Sequence, residues 1–279
     1  IWKELGTDCR NLPQVHTIVR MMRMIGEIVC PGVLLLGEVV MEPEKVAPYF
    51  GTVEKPECHM LYNVTTMATL WHSVAARDAR LLKHQMKAIS RLPDTCLFLN
   101  YLRCHDDIGW GLDYPLLESW GMKQVPHKKY LNDFFTGKIP ESFSRGELYN
   151  EDPVTGDARF CGTTASMCGA ERAGFEMDDA GMDHGIGRIL CLHGFLFFLS
   201  GIPVLYSGDE IGQVNDYTYK DNPEKAADSR YIHRGRFHWE LTGCIKDGGS
   251  VQGRIFSGLK QMEELRRGEP LFGADARVS

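Results

Sequence analysis

What this sequence lacks narrows what it can be. Its nine cysteines (Cys9, Cys30, Cys58, Cys96, Cys104, Cys161, Cys168, Cys191 and Cys244) form no CxxC pair and are odd in number, which excludes a disulfide framework. They sit mostly inside apolar runs and read as buried thiols, so the expected compartment is the reducing cytoplasm. Basic charge is not in excess: 31 Lys and Arg against 37 Asp and Glu give a net charge of -6. With no basic cluster, nucleic acid is not an expected partner. The longest apolar stretch, around Cys191 to Leu205, is interrupted by His193, Ser200, Gly201 and Pro203, so no membrane partner is expected either.

Cofactor signatures are equally sparse. The ten histidines never fall at metal-ligand spacing on a helix face, so no metal is expected. Gly185-Ile186-Gly187 lies in a helical pattern rather than in a strand-to-helix phosphate loop, and Asp178-Asp179 reads as a solvated loop rather than a calcium site. No cofactor is therefore expected. What remains, at 43% hydrophobic and 24% charged, is an ordinary globular chain with no low-complexity linker.

Short apolar runs of strand length occur at Gly32 to Val40, Cys58 to Tyr62, Cys96 to Arg103 and Pro203 to Ser207. Helical spacing occupies Leu12 to Ile28, Asn63 to Ser90, Met182 to Ser200 and Val251 to Arg267. This alternation predicts an α/β fold of parallel βα units whose strands are covered on both faces. Two long interruptions, Ile108 to Gly181 and Gly208 to Gly249, follow directly on strands, where α/β proteins carry their active-site loops.

Polar residues gather at those strand ends. Glu38 follows Val33 to Leu36, His105-Asp106-Asp107 follow Leu97 to Arg103, and Asp209-Glu210 follow Val204 to Tyr206. Any one of them could be a helix cap or a solvated charge. Together they predict carboxylates converging on one pocket, the arrangement glycoside chemistry needs: one carboxyl kept protonated as the acid, another ionised to face a cationic transition state.

The ordered set Gly37-Glu38-Val39-Val40, Asn100 to Trp110 and Gly201 to Glu210 resembles the α-amylase clan, glycoside hydrolase family 13, and within it amylosucrases and sucrose hydrolases. Supporting phrases are Ile1 to Thr7, Phe143-Ser144-Arg145-Gly146, Thr155-Gly156-Asp157 and Ala227-Asp228-Ser229-Arg230, so the resemblance spans residues 1–272. It implies a partial (β/α)8 barrel, about strands 5 to 8 with their helices, with long loops after strands 7 and 8. Residues 108–181 would be an inserted loop region and 273–279 the start of a further C-terminal region.

The resemblance implies Glu38 as general acid/base, Asp106 as transition-state stabiliser, and His105, Asp107, Asn150, Arg159 and Arg230 as sugar contacts. Asn150 stands where amylosucrases have a glutamine, and the loop from Gly111 to Tyr130 looks shorter than theirs, which favours hydrolysis over glucan synthesis. The implied partner is a small sugar, sucrose or another α-glucoside. Malto-oligosaccharide hydrolysis and a non-catalytic sugar-binding barrel are the alternatives. The family nucleophile, an aspartate ending strand 4, would lie upstream of Ile1, so the chain reads as cut from a longer enzyme and inactive alone. Its uncovered edges would favour aggregation or dimerisation. The sequence leaves the oligomeric state open.

Overall fold

The computed structural model describes residues 1–41 and 43–276; Glu42 and, from the expected C-terminal region, residues 277–279 lie outside the described residues. In chain order the first part contains α1 (Pro13–Val29), β1 (Leu36–Gly37), α2 (Pro43–Val46), β2 (Met60–Tyr62), α3 (Val64–Ala76), α4 (Arg80–Ile89) and β3 (Leu97–Asn100). The middle contains β4 (Ile108–Gly109), α5 (Tyr114–Ser119), α6 (Gln124–Phe135), β5 (Glu147–Tyr149), β6 (Arg159–Cys161), α7 (Thr164–Met167), α8 (Ala170–Glu176) and α9 (Asp179–Phe198). After β7 (Ile202–Pro203) the chain runs through short 3-10 turns to α10 (Val251–Gly268).

The strands expected to be parallel form one sheet in the order β1-β2-β3-β7. Leu36 pairs with Met60, Met60 with Leu97, and Leu99 with Ile202. All run the same way, so their carboxyl ends lie at one edge of the sheet, and whatever follows Gly37 and Asn100 faces the same side. A chain of side-chain amides binds three of these strands. Asn63 Nδ2 donates to Asn100 Oδ1 at 2.8 Å, and Asn100 Nδ2 donates to the Ser200 carbonyl at 2.7 Å. With Asn63 and Asn100 buried, these bonds satisfy groups that would otherwise cost ~1–3 kcal/mol each.

Helix boundaries follow local chemistry. Pro13 opens α1 at the position where its missing N–H and fixed φ suit a helix start, and Ser250 caps α10 by accepting from the Gly253 N–H at 2.9 Å. The expected single helix over Asn63 to Ser90 is two, α3 and α4, because Arg77 adopts a left-handed conformation (φ 51°) that ends α3 before the Asp78–Arg80 pair begins the next helix.

The main core centres on Trp71, Phe134, Phe135 and Phe160, all fully buried. Phe135 stacks on Phe160 with ring centroids 4.3 Å apart, and Trp71 meets both rings edge-on while its indole N–H donates to the Leu102 carbonyl at 2.8 Å. Two of these rings come from α6 and one from β6, inside the region expected to be an inserted loop. That region is instead folded: β4, β6 and β5 form an antiparallel sheet, and α5 and most of α6 occupy the expected loop Gly111 to Tyr130. Its Gly and Asp residues signalled excursions, but the aromatic side chains between them supply a core of their own.

A second expectation fails at β1. Val33, Leu34 and Leu36 are exposed rather than covered on both faces, because β1 is an edge strand paired only to β2 among the described residues. Alongside it, α1 buries Val15 and Val19 and exposes Met21, Met24, Ile25, Ile28 and Val29. Among the described residues no helix is long and apolar enough to cross a membrane.

Candidate active site

The carboxyl ends of β1 and β3 open onto a cleft of about 560 Å³ lined by Glu38, Asp106, Asp107, Arg159 and Arg230, with Arg10, Tyr101, Cys104, Trp110 and Asp157. Glu38 is there because it follows Gly37 at the end of the edge strand. Gly37 itself packs tightly: a Cβ at this position would stand 2.6 Å from Leu61 Cδ2 and 2.8 Å from Cys58 Sγ. Asp106 and Asp107 arrive in the turn after β3, just before β4. Arg159 is brought across by the β4–β6 pairing, which sets it opposite Gly109, and its Nε lies 3.1 Å from Asp107 Oδ2. Burial raises the Asp107 carboxyl above its usual range, and the Arg159 charge opposes that rise.

Asp106 is held from the side of the 3-10 turn Ser229–His233. Arg234 Nη2 lies 3.0 Å from Asp106 Oδ1, Arg230 Nη1 lies 3.6 Å from the same oxygen, and Arg234 Nε donates to the main-chain oxygen of His105 at 2.5 Å. Arg230 is itself oriented by Asp228, through Nε at 2.9 Å and Nη2 at 2.8 Å, and its guanidinium lies over the Tyr149 ring at 4.6 Å. The hydrogen bonds from Arg230 hold the Asp228 carboxyl below its ordinary range, and their counterpart raises Arg230.

His233 ties this turn to the antiparallel sheet. Its Nδ1 accepts from the Gly162 N–H at 3.1 Å, which leaves the proton on Nε2, 3.3 Å from the His105 carbonyl. Burial pushes this imidazole down to about 4, so it stays neutral in both bonds at ordinary pH.

The remaining sequence-derived candidates lie apart. The His105 imidazole is 65% exposed, with Nε2 3.5 Å from Asp106 Oδ2, and it is not part of the cleft lining. Asn150 is exposed, has a positive φ of 52° just past β5, and also stays out of the lining; its neighbour Tyr149 is what meets Arg230. The expected third strand-end carboxylate is a structural group. Asp209 is buried against Arg103, accepting from Nε at 2.9 Å, while Thr164 Oγ1 donates to its other oxygen at 2.9 Å. Glu210 accepts from the Gly208 N–H at 2.8 Å.

Sequence reasoning missed Arg234, His233 and Arg10. The first two had a usable signal: Arg230, His233 and Arg234 follow a turn-capping Asp228 at the spacing of a three-residue turn, which turns basic groups toward one neighbour. Arg10 had none, since only the fold brings the segment before α1 beside β1.

No protein-family profile matches the chain. Among curated relatives, it is 25% identical to the glucosylglycerate phosphorylase of Escherichia coli (strain K12) over 279 residues, 99% of this chain and 46% of that one. It is 31% identical to the trehalose synthase of Thermus thermophilus over 217 residues, 76% of this chain and 18% of that one. The chain thus spans about half the length of the phosphorylases it matches. Among solved structures, the sucrose 6F-phosphate phosphorylase of Thermoanaerobacter thermosaccharolyticum superposes with a TM-score of 0.64 at 19% identity, over 94% of this chain and 47% of that one, a likeness of fold. With its parallel sheet, its strand-end cleft and these relatives, the chain belongs to the α-amylase clan, family 13 of the glycoside hydrolases, and carries part of the clan's (β/α) barrel.

Proposed function

We propose that this chain supplies the acid/base side of a retaining site for α-glucosides. Glu38 protonates the departing glycosidic oxygen and later removes a proton from the incoming acceptor. Asp106, held in place by Arg234 and Arg230, faces the positive charge that develops at the anomeric carbon. Asp107 with Arg159, and Arg230 with Asp228, bind sugar hydroxyls. His105 and Asn150 reach the sugar only from the rim. The attacking carboxylate belongs, in this reading, to a part of the protein beyond this chain, and the chain by itself turns nothing over. The observation that carries the reading is the convergence of Glu38, Asp106, Asp107, Arg159 and Arg230 on one cleft.

The acceptor is the finer question. Arg10 lines the same cleft and has no carboxylate partner among the described residues, which favours an anionic acceptor such as inorganic phosphate over water. Sucrose is one candidate donor; glucosylglycerate and trehalose, named for the relatives, are others. The longer protein containing this chain is to be incubated with each donor, with and without phosphate, and assayed for free glucose, glucose 1-phosphate and glucan. Phosphate-dependent glucose 1-phosphate supports the phosphorylase reading. Free glucose at the same rate without phosphate supports hydrolysis, and no cleavage of any α-glucoside overturns the proposal.

A further inference from the structure

Three consecutive residues in the turn after β3 combine a thiol, an imidazole and a carboxylate. The donor atoms of Cys104, His105 and Asp106 all lie within 4.8 Å of one another. Consecutive ligands escape a search by spacing, because the set is made by the turn rather than by a helix face. The turn orients two of the three: the Asp106 N–H donates to Cys104 Sγ at 3.4 Å, and His105 Nε2 sits 3.5 Å from Asp106 Oδ2. Arg234 and Arg230 occupy Oδ1 of Asp106, which leaves Oδ2 on the His105 side.

We propose that Cys104, His105 and Asp106 form a three-donor site for a thiophilic divalent cation of the zinc class, with a water in the fourth position. Bond lengths of about 2.3 Å to sulfur and about 2.0–2.2 Å to nitrogen and oxygen put tetrahedral ligands roughly 3.3–3.7 Å apart. His105 Nε2 and Asp106 Oδ2 already lie 3.5 Å apart, so the remaining contraction, at most roughly an ångström, falls on the distances to Cys104 Sγ. Sulfur and imidazole in the set select zinc, cobalt(II) or cadmium over magnesium and calcium. On binding, the Cys104 S–H bond breaks, its proton goes to solvent, the sulfur–metal bond forms and the aqua ion sheds water; nothing is oxidised or reduced.

Cys104 and Asp106 both line the cleft. An ion on Oδ2 withdraws Asp106 from the sugar, so occupancy inhibits; this consequence rests on the α-glucoside reading, whereas binding does not. The test is titration of the chain with Co2+, following sulfur-to-cobalt charge-transfer absorbance. A thiolate band that is lost in Cys104→Ser, weakened at least tenfold in affinity by His105→Ala, and kept in Cys58→Ser supports the site. The absence of such a band in the unaltered chain, or its persistence in Cys104→Ser, overturns it. The exposed His105→Ala variant decides the matter if Cys104→Ser does not fold: unchanged cobalt affinity there overturns the proposal. Zn2+ inhibition of glucoside cleavage by the longer protein is then measured. Cobalt binding without inhibition leaves the metal site standing and counts against the cleft reading.

Discussion

Arg234 grips Asp106 twice over, through its carboxylate at 3.0 Å and through the main-chain oxygen of the residue before it at 2.5 Å. The second bond fixes the peptide and the first fixes the side chain, so one guanidinium sets both the backbone and the carboxylate position of the proposed stabiliser. A lysine cannot reproduce that fork. In the longer protein, Arg234→Lys is expected to lower kcat about 10–100-fold, matching the ~1.5–3 kcal/mol carried by hydrogen bonds to charged groups. KM should change little. Steady-state kinetics on a cleaved α-glucoside checks this, and a change confined to KM would assign Arg234 to substrate binding instead.

Asp209 has a different role from Asp106, although both follow apolar strand-like runs. Its ion pair with Arg103 is almost wholly buried, and Arg103 also lies over the Tyr206 ring at 4.5 Å. Arg103→Met strands the Asp209 charge and is expected to cost about 3–5 kcal/mol of stability. Asp209→Asn should be similarly damaging. Denaturant unfolding of each variant reads the loss directly, and the double variant Arg103→Met with Asp209→Asn should recover part of it.

These two aspartates also show how far the sequence was legible. The parallel order, the positions of α1, α9 and α10, and the strand ends carrying Glu38 and Asp106 all follow from apolar periodicity and turn chemistry, which are local. Whether a strand-end carboxylate stays partly open at a cleft, as Asp106 does beside Arg234, or is sealed against a buried arginine, as Asp209 is, is a tertiary matter, so the two look alike until Arg103 is in place. The antiparallel β4–β6–β5 sheet was invisible for a related reason. Its strands are two or three residues long, too short for any period, and they are held by the Phe135–Phe160 stack rather than by their own pattern.

Two buried histidines bear on acid stability. His72 and His127 face each other with ring centroids 5.1 Å apart, and no ring nitrogen of either has a hydrogen-bond partner among the described residues. Burial pushes His72 from 6.5 down to about 4 and lowers His127 as well, with Asp78 the carboxylate acting on His72. Because the folded-state values are depressed, the unfolded chain binds more protons between pH 6.5 and about 4, and stability falls as pH drops through that window. A shift of this size corresponds to about 3 kcal/mol for His72 alone. His72→Gln, which cannot protonate, should flatten the fall. Unfolding free energies measured from pH 7 to pH 4 in both proteins test this, and parallel curves would refute it.

Gly37 positions Glu38 by having no side chain. Gly37→Ala drives a methyl into Leu61 and Cys58 and is expected to cost about 1–3 kcal/mol. Displacing the end of β1 should also reduce turnover in the longer protein by more than tenfold. Thermal unfolding and kcat together separate this from a purely local effect: a destabilised variant with unaltered kcat would show that β1 does not set the Glu38 position.

The role of Glu38 is tested most directly by Glu38→Gln in the longer protein, assayed with an α-glucoside whose leaving group needs protonation and with α-glucosyl fluoride, whose leaving group does not. A general acid/base predicts at least a thousandfold loss on the first substrate, a far smaller loss on the fluoride, and acceleration by azide, which attacks without base assistance. Cleavage of the first substrate at the unaltered rate would contradict the account.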